Sequence, residues 1–238
     1  MRQFSPPHVA ALAVWVLATA ACVSAGRRAR PGARWTGRVR CVLAALIAVA
    51  WAGEYVTDAI LGTWSVQFTF PLQLTDVVSL VSIYALLTER LWAVELAYYW
   101  AFTATLQAVL TPDLGQDFPD ALYFTYFGYH IGALVGSAFL VWGLGVRPRP
   151  GAMWRTFAAT LAWACVAGAA DVMTGGNYMY LAWKPTHASL LNHMGPWPWY
   201  IGAGVLVALV MLAVVRAATT ALQRLVDGAQ APGHRRLQ

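Results

Sequence analysis

The run Tyr200-Ile201-Gly202-Ala203-Gly204-Val205-Leu206-Val207-Ala208-Leu209-Val210-Met211-Leu212-Ala213-Val214-Val215 holds no ionisable side chain after Tyr200. Trp197 and Trp199 precede it, and Arg216 follows it. About 20 mostly apolar residues cross a bilayer, and aromatic and basic residues favour its two interfaces. Read this way, 197–219 is a membrane helix, and the same reading extends outward along the chain. Six more apolar segments lie at 7–25, 40–60, 71–88, 91–110, 121–146 and 152–173. The expected fold is all-α: one seven-helix transmembrane domain over 1–220, with a short basic tail over 221–238. The first segment has only Arg2 as a basic flank and no clean small-residue cleavage site, so it reads as a retained helix rather than a signal peptide.

Composition agrees. Of 238 residues, 59% are apolar and 11% charged, and mean hydropathy is +0.55. A soluble domain carries about a quarter charged residues. This balance excludes a disordered chain, a coiled coil and a nucleic-acid-binding domain. Cys22, Cys41 and Cys165 are scattered through apolar runs and offer neither a disulfide framework nor a metal knuckle.

The net charge of +6 is unevenly placed. Arg27, Arg28, Arg30, Arg34, Arg38 and Arg40 follow the first segment, Arg90 the third, and Arg147, Arg149 and Arg155 the fifth. Arg216, Arg224, Arg235 and Arg236 follow the seventh, while Arg2 and Lys184 alone occupy the alternate connections. By the positive-inside rule the N-terminus is outside and the C-terminus inside.

Ionisable residues within a bilayer are costly and mark candidate sites. The second segment carries Glu54 and Asp58, and the third carries Gln73, Thr75 and Asp76. The fourth carries Glu95 and Gln107, the fifth Tyr123, Tyr126 and His130, and the sixth Asp171. At 1.5 Å per residue, Thr75 lies roughly 7 Å and His130 roughly 10–14 Å from the outer ends of their helices. With the exception of Glu95, these groups fall in the outer half, under an outer loop bearing Asn177, Lys184, His187, Asn192 and His193. The expectation is one polar intramembrane cavity open to the outside.

Several strings resemble a known family. They are Phe70-Pro71-Leu72-Gln73-Leu74-Thr75-Asp76, Thr105-Leu106-Gln107-Ala108-Val109-Leu110-Thr111-Pro112-Asp113-Leu114 and Gly176-Asn177-Tyr178-Met179. Lys184-Pro185, Ser189-Leu190-Leu191 and Gly195-Pro196-Trp197-Pro198-Trp199-Tyr200 complete the set. Over about 54–200 the chain resembles the YwaF-type bacterial integral membrane proteins, a seven-helix family. That family is distantly similar to animal membrane proteins that move or cleave lipid acyl chains with a Cys or Thr nucleophile and a His. Members usually read Leu-Pro-Leu-His-x-Cys-Asp at the third helix and Ser-His-Gly in the fifth. Here Gln73 stands in place of the His and Thr75 in place of the Cys, while His130 matches the second His between Tyr129 and Ile131.

The resemblance implies a lipid acyltransferase or ester hydrolase in a bacterial cell membrane, with membrane lipid as solvent and substrate. Thr75 would be the nucleophile and His130 its base, since an unactivated hydroxyl needs one. Asp76 or Asp171 would orient the imidazole, and Gln73, Gln107 or Asn177 would donate to the oxyanion. The alternatives are a binding or transport protein for a cation or small solute, lined by Glu54, Asp58, Asp76, Asp171 and Lys184, and a sensor using the same cavity. Gly132 and Gly136 offer only weak hinges for transport. No cofactor or metal is expected, because Lys184, the sole lysine, lies in a loop and His187 and His193 are too far apart to clasp a metal.

Overall fold

A computed structural model describes residues 1–185 and 189–230. His187, Arg235 and Arg236 lie outside the described residues. Among the described residues eight α-helices account for the architecture: α1 (Pro6–Arg28), α2 (Arg34–Leu61), α3 (Leu74–Thr88), α4 (Leu91–Trp100), α5 (Leu106–Leu110), α6 (Ala121–Ala138), α7 (Ala152–Thr174) and α8 (Trp199–Gln230). The described residues contain no strand.

α4 and α5 form one rod, joined without a break by a π-helical turn at Ala101–Thr105. A second π-turn, Phe139–Gly143, continues α6. By length and composition five helices among the described residues can cross a membrane, over Pro6–Arg28, Arg34–Leu61, Ala121–Gly143, Ala152–Thr174 and Trp199–Arg224.

α3 is short because its expected first turn does not form. Pro71 and Leu72 stay outside the helix, and Gln73 takes the extended N-cap conformation. At the other extreme, α8 runs past 219 to Gln230, so the expected tail begins as helix.

α6 is the central helix and is buried along most of its length. Gly128, Gly132 and Gly136 form a stripe at four-residue spacing that lets its neighbours approach closely. A Cβ on Gly132 would sit 2.7 Å from Ile47 Cγ1, and one on Gly128 2.8 Å from the Ala50 Cβ. Gly132 and Gly136 are therefore contact surface against α2 and α3 rather than hinges.

Candidate functional site

At the arginine-poor end, hydrogen bonds bring the start of α3 and the end of α7 together through Gln73, Asp76, Asp171 and the loop at Asn177. Asp76 is the third residue of α3, and its Oδ2 accepts the Gln73 backbone N–H at 3.1 Å, capping the helix. Its Oδ1 accepts the Trp51 indole N–H at 3.1 Å and the Tyr55 hydroxyl at 2.9 Å, both from α2. Asp76 is therefore a buried carboxylate with its bonding capacity committed to α2 and to its own helix end.

The loop after α7 closes the same layer. Gln73 Oε1 accepts the Met179 N–H at 2.8 Å. Asp171 Oδ1 accepts the Tyr178 N–H at 2.6 Å, while its buried Oδ2 has no partner among the described residues. Asn177 organises the turn that follows: Oδ1 accepts from Ala182 and Trp183 N–H, and Nδ2 donates to the Trp183 carbonyl. The fully buried Tyr178 donates its hydroxyl proton to the Val66 carbonyl and accepts the Phe70 N–H at 3.1 Å. Burial raises the Tyr178 hydroxyl pKa. It raises that of Tyr180 too, with help from the Asp113 carboxylate, which accepts the Tyr180 proton at 2.6 Å.

His130 lies on α6, 2% exposed, with the Tyr126 and Tyr129 rings at 4.2 and 4.1 Å. Its Nδ1 faces the Tyr126 carbonyl at 2.7 Å. A carbonyl only accepts, so Nδ1 carries the proton and Nε2 is left as the basic nitrogen. The group that orients this imidazole is thus a backbone carbonyl one turn back, and no hydrogen bond joins His130 to Asp76 or Asp171. Thr75 is half-buried in the first turn of α3, and its hydroxyl makes no hydrogen bond among the described residues.

The other expected site residues divide. Glu54 lies beside Tyr129 and Asp76, and its Oε2 is buried without a partner among the described residues. Asp58 serves the end of α2, where its Oδ1 accepts the Thr63 hydroxyl at 2.8 Å. Lys184 is spent on a cation–π contact, 5.4 Å from the Tyr200 ring. Gln107 faces a different space, an apolar cavity of about 260 Å³. Leu74, Trp100, Thr103, Val207 and Met211 also line that cavity, with Ser189 and Thr111 contributing hydroxyls. Thr75, Asp76, His130 and Glu54 do not line it.

Two buried groups were not legible as paired. His8 is fully buried, with Nδ1 accepting the Phe4 N–H and Nε2 donating to the Val109 carbonyl at 2.8 Å, so it locks α1 to the end of α5. Glu95, 2% exposed, accepts from Arg149 through Nε and Nη2, both at 2.8 Å, and from Arg155 Nη2 at 3.0 Å. The hydrogen bonds that Arg149 donates to the Glu95 carboxylate raise its guanidinium pKa further.

No curated protein and no solved structure matches the chain. A family profile described as the TMEM164 family matches residues 3–215. That match spans nearly all of a multi-pass helical membrane protein, and the chain belongs to the TMEM164 family.

Proposed function

We propose that this protein is a seven-helix enzyme of the bacterial cell membrane that transfers or hydrolyses a lipid acyl chain, with Thr75 as nucleophile and His130 as general base. α3 and the α4–α5 rod join the five long helices as spans. The arginine split supports an N-terminus outside and a C-terminus inside. The observation that carries the reading is the His130 imidazole, fixed by the Tyr126 carbonyl in the tautomer that leaves Nε2 basic. The likeness of residues 54–200 to the YwaF-type proteins supports it. The apolar cavity beside Gln107 suits an acyl chain, and Leu74, the residue before Thr75, is part of its lining.

In the first step Nε2 takes the Thr75 hydroxyl proton as Oγ1 attacks the ester carbonyl. The imidazolium returns that proton to the leaving alcohol as the ester C–O bond breaks, giving acyl-Thr75. Water, or the hydroxyl of an acceptor lipid, then attacks the acyl group and gives its proton to Nε2. Thr75 recovers the proton as its own bond to the acyl group breaks. Gln73, Gln107 and Asn177 are the candidate oxyanion donors, although Gln73 and Asn177 already hold the loop after α7 and Gln107 lines a cavity that Thr75 and His130 do not.

A second reading is favoured by Glu54, whose Oε2 is buried and unpartnered close to Asp76 and Asp58. Such an oxygen suits a bound cation or a proton-coupled solute. Lipid mass spectrometry separates the two readings. Membranes bearing wild type, His130→Ala or Thr75→Ala are compared at matched expression. Acyl-chain or lysolipid changes that vanish in both variants support the enzyme. Identical profiles in all three refute it, and Glu54-dependent solute uptake then establishes the alternative.

A further inference from the structure

The arginine-rich end holds a larger cavity that the acyl reading does not use. It measures about 890 Å³ and lies between the α1–α2 connection, the π-turn after α6, the end of α3 and α8. Arg27, Arg30, Arg34, Arg40 and Arg147 line it, against Glu89 as the one lining carboxylate among the described residues. It stands at the opposite end of α3 from Thr75, about 20 Å along the helix at 1.5 Å per residue.

Arginines flanking membrane helices ordinarily need no cavity, since they set orientation from any exposed position. Three features set these apart. Arg27 and Arg40 are anchored by carbonyls: Arg27 Nε donates to the Trp142 carbonyl, and Arg40 Nη1 to the Leu86 carbonyl, each at 3.0 Å. A carbonyl fixes a guanidinium without cancelling its charge. Glu89 pairs with Arg40, whose Nε is buried with no partner among the described residues. Finally, α2 begins at this cavity with Ala33 as N-cap and no side-chain cap, so its positive end meets the cavity without a side-chain acceptor.

The apolar part of the lining says which ligand. Val141, Trp142, Leu144 and Leu222 share the cavity with the arginines. A free phosphate has no use for such a surface, whereas a lipid phosphate with its glycerol and first methylenes does. Basic pockets between membrane helices take anionic head groups in this way.

We propose that this cleft binds the phosphate of an anionic phospholipid, as a site separate from any acyl chemistry. Arginine suits it through its planar fork of donors, which matches phosphate oxygens. The purified full chain is titrated with phosphatidylglycerol and with phosphatidylcholine, and bound lipid is counted by native mass spectrometry. Two double variants are compared. Arg30→Gln with Arg34→Gln removes two side chains that line the cleft and make no hydrogen bond to the described residues. Arg28→Gln with Arg38→Gln removes the same charge from the same stretch outside the cleft.

The proposal expects phosphatidylglycerol to be preferred and to bind the first variant on the order of 30-fold more weakly, at roughly fivefold per arginine. The second variant should bind like wild type, and millimolar inorganic phosphate should not displace the lipid. Equal losses in both variants would make the effect diffuse charge and overturn the site. No preference between the lipids would overturn it as well. Displacement by inorganic phosphate would assign the cleft to a soluble phosphate and overturn the lipid.

Discussion

Replacing Tyr178 with Phe removes one oxygen and leaves the packing volume unchanged. That oxygen holds the chain between α2 and α3 through two bonds, to the Val66 carbonyl and from the Phe70 amide. Each such bond contributes about 1 kcal/mol net, and more if its partner is left dry. Val66 is 37% and Phe70 44% exposed, so water can reach their backbone groups and the dry penalty does not apply in full. The two bonds together then amount to about 2 kcal/mol. For a chain of this length that lowers the unfolding midpoint by about 4–8 °C. Tyr178→Ala adds a cavity and should cost about 3–5 kcal/mol. The assay is thermal unfolding of the purified protein in detergent, followed by the loss of the monodisperse chromatographic peak. A Phe variant that melts with wild type, while the Ala variant does not, would show that the ring alone holds the segment and would refute the hydrogen-bond account.

Three further outcomes are expected. Gly26→Ala would place a Cβ 2.9 Å from the Gly143 backbone, where no side chain can turn aside, and should destabilise by about 1–3 kcal/mol; an unchanged melting temperature would contradict the close approach of α1 to the π-turn. Tyr180 has a folded-state pKa above its ordinary value of 10.0, so its contribution is complete below about pH 10 and is lost as pH rises through the folded value. Tyr180→Phe should therefore flatten the alkaline fall in stability, and parallel curves for the two proteins would count against this. In a cysteine-free background, Asn192→Cys should react with an outside-only maleimide and Gly32→Cys should not, with the reverse pattern overturning the topology.

What the sequence made legible is what the bilayer enforces. A helix surrounded by lipid needs a long apolar run, so α1, α2, α7 and α8 stand out with few buried positions inside the bundle. The convergence of Gln73, Asp76, Asn177 and Asp171 was legible from helix direction and depth alone. Their employment was not. Asp76 stands three residues after the Gln73 N-cap, a spacing that signals capping, but its bonds to Trp51 and Tyr55 depend on how α2 rotates. Glu95 meets its arginines 54 and 60 residues away, and no local pattern encodes that. The four-residue glycine spacing was visible, yet whether it marks a hinge or a contact is settled only by Ile47 and Leu86 arriving against it. The arginine cleft was hidden for the same reason, because concavity belongs to the bundle and not to any one segment.

The π-turn at Ala101–Thr105 gives the α4–α5 rod two independent angular phases. A π-turn amounts to one extra residue within a helix. Its i→i+5 bonds fit that residue in locally, so deleting one residue there would restore a uniform helix with the segments on either side still in place. Glu95 would then still meet Arg149 and Arg155 and Gln107 its apolar cavity, whereas a deletion in a plain α-helix would swing everything beyond by about 100°. The extra residue acts as a gear between the two ends of the molecule: each end can keep its own facing, and a change of length at one need not be propagated to the other.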